Sequence, residues 1–382
     1  MRICLFNWKD TRHPAAGGAE VFTWEVLARW ARAGHDVTWF TSSFPGGAES
    51  EETPDGVRIV RRGSRWTVFA EARRWYEHEA RAVHGSFDLV VDEVNTRPFG
   101  TPAWVRDAPV VALAHQVAKD VWSAEFPAPV AALGRWVLEP WWLRRYRDTP
   151  TLTVSESSRA SLGEYGLRKV TVVPEGIERR PRVECDRETA PTIIVLGRLS
   201  RSKRVEDAIE AFRRMQSAMP SARMWIVGDG PESTRLKRLA PPEVTFFGRV
   251  GDATRNELLA RSHALVMTSV REGWGLVVDE AAAIGTPTIA YRRPGLCDSV
   301  PAARGVLVDP TPQALAQGLK RHLPLWHAEP AVQGWAGGAR DWGEVAGAVM
   351  DACTQTVRDL VPVSSAALPE QFRTPSENLE VV

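Results

Sequence analysis

Short apolar runs alternate with helical stretches in two separate blocks of this chain, and that pattern limits the fold more than any other feature. "RICLFN" (2–7) leads through a glycine-containing loop into "AEVFTWEVLARWARAG" (19–34). There Val21, Phe22, Val26, Leu27 and Trp30 recur at helical spacing, and Gly34 supplies a stop. "HDVTWFTS" (35–42), "FDLVVDE" (87–93), "PVVALAH" (109–115), "TLTVS" (151–155) and "VTVVP" (170–174) continue the series. Compact apolar runs of this kind suit parallel strands covered on both faces, with helices as crossovers. The first block therefore predicts an α/β domain with a doubly wound sheet.

The pattern breaks at "EGIERRPRVECDRETAP" (175–191), which is polar and lacks periodicity, as an interdomain linker does. It restarts with "TIIVLG" (192–197), "ARMWIVG" (222–228), "VTFFG" (244–248), "HALVMT" (263–268), "PTIAY" (287–291) and "GVLVDP" (305–310). The expected organisation is a Rossmann-like domain over 1–175, a linker over 176–190 and a second such domain over 191–340. A helix over 341–360 would pack back on the first domain, and 361–382 reads as a disordered tail. Two such domains on one linker place a ligand cleft between the carboxyl ends of their strands.

Composition removes several classes. With 48 basic and 47 acidic residues the net charge is +1, unlike the strongly basic surface of a nucleic-acid binder. Cys4, Cys185, Cys297 and Cys353 are far apart in sequence, so neither a zinc site nor a disulfide framework is expected. No apolar run approaches the roughly 20 residues of a membrane span. "MRICLFNW" shows no cleavage-site pattern, and the expected location is cytoplasmic.

The loops after the strands carry the chemistry. In "HPAAGGAE" (13–20), Gly17 and Gly18 let backbone N–H groups approach a ligand at a helix start, which favours an anion. No G-x-G-x-x-G occurs, which disfavours a nicotinamide dehydrogenase. "LGRLSRSKRVEDAIEAF" (196–212) sets Arg198 and Lys203 where fixed positive charge would meet a diphosphate. "IVGDGPE" (226–232) and "FFGRV" (246–250) end strands in glycine, as the floor of a nucleotide cleft does. "REGWGLVVDEAAAIGTP" (271–287) puts Glu272 in a loop and Glu280 on a helix expected from about Gly275 to Ile284. Amides of Gly273, Trp274, Gly275 and Leu276 would then face a phosphate, and the two carboxylates a sugar and a ribose diol.

This ordered set resembles family-4 retaining glycosyltransferases of the GT-B fold, glycosyl transferases group 1. "TVSESSRASLGEYG", "VTVVPEGIE", "VGDGPE", "FFGRV", "EGWGLVVDEA" and "GTPTIA" fall in that family's order, and the likeness runs from residue 1 to about 360. It implies that Arg198 and Lys203 bind the donor pyrophosphate, that Glu272 meets the donor sugar and that Glu280 meets the ribose. It also implies that Gly17 and Gly18 face the phosphate and acceptor, that the backbone of Arg249 and Val250 meets the base, and that His115 lies near donor sugar and acceptor. Asn95 and Arg97 in "DEVNTRPFG" (92–100) lie where an acceptor would enter. Glu175 stands where the family usually has Asn in "PNG", and "RRPGLCDSV" (292–300) replaces the commoner "GG..E". Neither departure is expected to touch this core set of carried-over residues.

The resemblance implies transfer of a sugar from a nucleoside-diphosphate donor to an acceptor hydroxyl with retained configuration, by front-face attack. It implies no cofactor and no metal, since Arg198, Lys203 and the helix amides meet the charge on the leaving diphosphate. The acceptor class stays open between glycan, lipid and small natural product. The alternatives are a nucleotide-sugar epimerase of the same architecture and a non-catalytic nucleotide-sugar-binding protein. The tryptophans of "RWVLEPWWLRRYR" (135–147) suit either packing on the first sheet or contact with a membrane surface. Packing is the expectation.

Overall fold

The computed structural model describes residues 1–177, 185–328 and 340–360. The tail expected at 361–382 and the middle of the expected linker lie outside these residues. Strands β1 (Arg2–Phe6), β2 (Asp36–Thr41), β3 (Ser50–Glu52), β4 (Val57–Arg61), β5 (Leu89–Glu93), β6 (Val110–Leu113), β7 (Thr151–Thr153) and β8 (Val170–Val172) form the first sheet. Their order is β3-β4-β2-β1-β5-β6-β7-β8, with β3 antiparallel to β4 and the other pairs parallel.

After β9 (Gly176–Ile177) come β10 (Thr192–Leu196), β11 (Arg223–Val227), β12 (Val244–Gly248), β13 (Ala264–Met267), β14 (Thr288–Tyr291) and β15 (Val306–Val308). These last six make a second sheet in the order β12-β11-β10-β13-β14-β15. All of its pairs are parallel.

Each sheet reverses its winding once, between β1 and β5 in the first and between β10 and β13 in the second. Crossover loops leave such a pair of strands in opposite directions, which opens a crevice at their carboxyl ends. Every candidate site loop follows one of these strands or a near neighbour.

The helix Trp342–Leu360 follows the second sheet in the chain but completes the core of the first. Its Trp342, Val345, Ala346, Val349 and Cys353 are buried with Leu5, Phe22, Leu27, Trp30 and Trp39. Trp30 Nε1 donates to the Ala346 carbonyl at 3.0 Å. That contact satisfies the one polar atom of a buried indole.

Two details depart from the sequence reading. The first residues of the expected linker, Gly176 and Ile177, are a short strand paired with β16 (Arg340–Asp341). The outgoing and returning crossings of the chain therefore run side by side. The region 50–61, passed over as a strand, supplies β3 and β4. Arg61 in β4 is fully buried and pairs with Asp10 at 2.6 Å and Glu51 at 2.8 Å. A charged side chain inside the core hides such a strand from a hydrophobic scan.

Candidate active site

The helix Gly18–Arg32 opens directly on the glycine loop after β1. Glu20 lies in its first turn, is fully buried and accepts a bond from the Gly17 amide at 2.6 Å. An acid there satisfies an amide that no helical carbonyl can reach. Glu20 also meets Lys9 at 3.1 Å and accepts from Asn95 Nδ2 at 2.9 Å. The expected acceptor residue Asn95 is therefore tied into the loop scaffold. Arg97 stacks on Phe69, 4.1 Å from the ring centroid.

Across the crevice, Lys203 and Glu272 come from the loops after β10 and β13, the two strands that flank the reversal. Lys203 Nζ donates to Glu272 Oε1 at 2.5 Å, with both side chains partly exposed to the crevice. Arg198 is exposed and makes no ion pair among the described residues. It faces the first half. The His13 pKa is lowered by burial and by Lys9, with Arg198 adding to the effect.

The helix Leu276–Ile284 starts where the sequence predicts, after Gly275 at φ 103°. Trp274 and Leu276 pack against the first core, and a Cβ placed on Gly18 would lie 3.5 Å from Leu276 Cδ1. The two glycine loops thus oppose each other. At Gly273 a side chain is not tolerated, because a Cβ would fall 2.9 Å from the His115 carbonyl oxygen. Glu280 sits in the second turn of this helix and meets Arg255 at 3.1 Å. Arg255 lies on the helix that follows Arg249 and Val250, so the expected ribose and base positions adjoin. Arg249 is exposed, while Val250 packs on the second-half core.

Around His115 and Glu272 the structure corrects the expectation that neither departure from the family pattern touches the core set. The imidazole is buried between two carboxyl groups, with Nδ1 3.4 Å from Glu175 Oε1 and Nε2 3.5 Å from Glu93 Oε1. Burial alone would lower its pKa, but Glu175 and Glu93 outweigh burial and raise it, favouring the imidazolium. Burial also raises the pKa of both carboxyls, and His115 opposes that rise.

Glu175, the departure from the family's Asn, is thus a direct partner of a core residue. The second departure also touches the core set. Glu272 N donates to the Pro294 carbonyl at 3.0 Å, and Gly295 N donates to Ser157 Oγ at 2.7 Å.

Asp279 adds a group that the sequence reading did not single out. It accepts from Trp274 Nε1 at 2.6 Å, while burial pushes its pKa up to about 7, helped by Glu175 and Glu280. Beside the His115–Glu93 ion pair, Asn7 Nδ2 and Gln116 Oε1 are buried on the first half without hydrogen-bond partners. They sit just beyond the carboxyl ends of β1 and β6. Each such unpartnered atom costs about 1–3 kcal/mol.

Two doubly wound halves with reversal points turned toward one crevice define a GT-B architecture. The chain belongs to the family-4 glycosyltransferases: residues 16–180 match the model described as Glycosyltransferase Family 4, and residues 177–329 match Glycosyl transferases group 1. It is a glycosyltransferase that uses nucleotide-sugar donors.

A glycogen synthase from Mycobacterium tuberculosis is 27% identical over 78% of this chain and 80% of its own. A GDP-mannose-dependent alpha-(1-6)-phosphatidylinositol dimannoside mannosyltransferase from the same species is 30% identical over 43% of this chain and 46% of its own. Among solved structures, sucrose-phosphate synthase from Thermosynechococcus elongatus superposes with TM-score 0.76 at 20% identity, covering 93% of this chain and 98% of its own. Anabaena HepE in complex with UDP and glucose gives TM-score 0.65 at 16% identity over 93% and 100%. No helix among the described residues is long and apolar enough to cross a membrane.

Proposed function

We propose that this enzyme transfers a sugar from a nucleoside-diphosphate donor with retention of configuration and without a metal ion. The observation that carries the reading is the approach of the Lys203–Glu272 loop to the His115–Glu93–Glu175 cluster, with Gly273 closed against the His115 carbonyl. The diphosphate lies against Arg198, Lys203 and the first amides of the helix Leu276–Ile284, with Gly17 and Gly18 closing the other side. Arriving phosphate draws Lys203 from Glu272, and the freed carboxylate accepts from a sugar hydroxyl. The backbone of Gly273, Trp274, Gly275 and Leu276 borders the sugar and phosphate. Glu280 takes the ribose, and Arg249 and Val250 border the base.

The bond from the anomeric carbon to the diphosphate oxygen breaks as the acceptor hydroxyl forms its bond on the same face. The acceptor proton passes to the leaving phosphate oxygen, so no protein base is needed. Charge accumulates on the diphosphate, where fixed cations and helix amides stabilise it. His115, held as an imidazolium, and Asn95 and Arg97 border the acceptor side. The four cysteines are unpaired, which suits the reducing cytoplasm.

Thermal unfolding with UDP, GDP, ADP and TDP tests the donor cleft. About 1 mM of a nucleotide with a Kd near 10 μM would stabilise the fold by about 2.7 kcal/mol. Lys203→Ala should remove that shift and lower transfer by roughly 100- to 1,000-fold while leaving unliganded unfolding unchanged. Full transfer in that variant would sink the assignment. Anomeric configuration of the product by NMR, and activity in the presence of a chelator, decide the stereochemical and metal questions separately.

A further inference from the structure

Between β6 and β7 the chain forms a continuous helical ridge from Ala128 to Tyr146, with a π-helical segment at Gly134–Leu138. One face is built into the protein. Ala131, Gly134, Glu139, Leu143 and Tyr146 are buried, and a Cβ on Gly134 would strike the Trp122 ring at 2.3 Å. Glu139 anchors this face: its carboxylate accepts from the amides of Ala118 and Lys119 and from Trp122 Nε1, at 2.5, 2.9 and 3.2 Å.

The opposite face is apolar as well: Trp142 packs inward as expected, on Ala118, Trp122 and Ala131, but Trp136 and Trp141 do not. Of the eleven large hydrophobic residues exposed among the described residues, five lie here, Val130, Leu133, Trp136, Val137 and Trp141, and Phe126 just precedes them. Trp136 is 71% and Trp141 52% exposed. Positions 130, 133, 137 and 141 follow helical spacing, so they form a stripe rather than scattered contacts.

Basic residues outnumber acids along the ridge, although the exposed Asp148 directly follows Arg147. Between 126 and 147 there are four arginines, Arg135, Arg144, Arg145 and Arg147, and the one acid is the buried Glu139. Arg145 lies 3.8 Å from the Trp141 ring centroid and Arg135 5.1 Å from that of Trp136. Arg135 also pairs with Asp120 at 2.9 Å. Exposed tryptophan bordered by arginine matches the chemistry of an acyl–headgroup boundary, where indole rings sit at headgroup depth and cations meet phosphate.

We propose that this ridge docks the enzyme on an anionic lipid surface. The aromatic stripe enters the headgroup layer, and Arg144, Arg145 and Arg147 meet lipid phosphates. Through Glu139 the built-in face of the ridge is fixed to the loop 116–119 that follows His115. The inference stands apart from the transfer chemistry and holds or fails without it.

The test is co-sedimentation of the full chain with vesicles of phosphatidylcholine alone and with about 30 mol% phosphatidylglycerol, at low salt and in about 0.5 M NaCl. The expected result is at least about tenfold more protein on the anionic vesicles, with release by salt. Trp136→Ser with Trp141→Ser, and separately Arg144→Glu with Arg145→Glu, should each lose that binding while keeping the parent unfolding temperature, because these side chains are exposed. No binding to anionic vesicles by the parent protein overturns the proposal, and so does equal binding to neutral ones. A dimer in sedimentation velocity that Trp136→Ser with Trp141→Ser dissolves, without vesicle binding, overturns it in favour of a second copy on the ridge.

Discussion

The two sides of the crevice handle buried charge in opposite ways. On the second half, Lys203 with Glu272 and Arg255 with Glu280 are oppositely charged pairs of partly exposed side chains, although Arg255 Nε itself has no hydrogen-bond partner. On the first half, His115 shares Glu93 and Glu175 inside the protein, and neighbouring polar atoms have no partner. Paired charges at a wetted wall exchange partners at small cost, as a wall that binds and releases a charged donor must. The buried cluster cannot rearrange so cheaply. Under the proposed donor site, it is a fixed electrostatic surface against which the other side would exchange ligands.

The largest test of that contrast removes the imidazole. His115→Ala leaves two buried carboxyls without their cation and should cost about 3–5 kcal/mol in chemical denaturation at neutral pH. A loss below about 1 kcal/mol would show that water already reaches the cluster.

Next comes Asp279, on the second half but buried. Its pKa is raised from 3.8 to about 7, so the folded state holds a proton that the unfolded state releases. That stability is complete below about pH 4 and declines as pH rises through 7, by on the order of 4 kcal/mol at most. Asp279→Asn should flatten the decline, measured as unfolding free energy against pH.

Glu175→Asn restores the family's usual side chain and sharpens the contrast chemically. Glu175 raises the His115 pKa, so its loss should move the basic limb of the kcat/KM profile down by about one pH unit. An unmoved limb would mean that His115 charge does not govern turnover. The smallest effect belongs to Arg255→Gln. That pair is about one-fifth exposed on each side, and its loss should change stability by less than about 1 kcal/mol.

How far the sequence disclosed this depended on whether the signal was local. The strands beside the reversal points are apolar over several consecutive residues, and the glycine loops lie immediately after them. Lys203 and Glu272 were therefore readable as site residues before their contact was visible. Asp279 and Arg255 were not, because burial in the fold and a partner 25 positions along the chain give them their roles. Glu93 sat unmarked inside a strand, and Glu175 was visible as a departure whose partner lies 60 residues away. The ridge at 128–146 failed differently. Its sequence records that both faces are apolar, but only packing decides which face the protein covers.

The returning helix Trp342–Leu360 also bears on how the chain is made. A ribosome delivers β1 first and Trp342 among the last described residues, yet both belong to one core. Until residues 342–353 emerge, Trp30 lacks the acceptor for its indole and Leu27 part of its cover. The second sheet, complete by the helix Pro312–Ala328, can close its own core while the first half is still waiting. Synthesis and consolidation thus run in opposite orders, and a chain that stops short of residue 342 would leave the earlier-made domain unfinished.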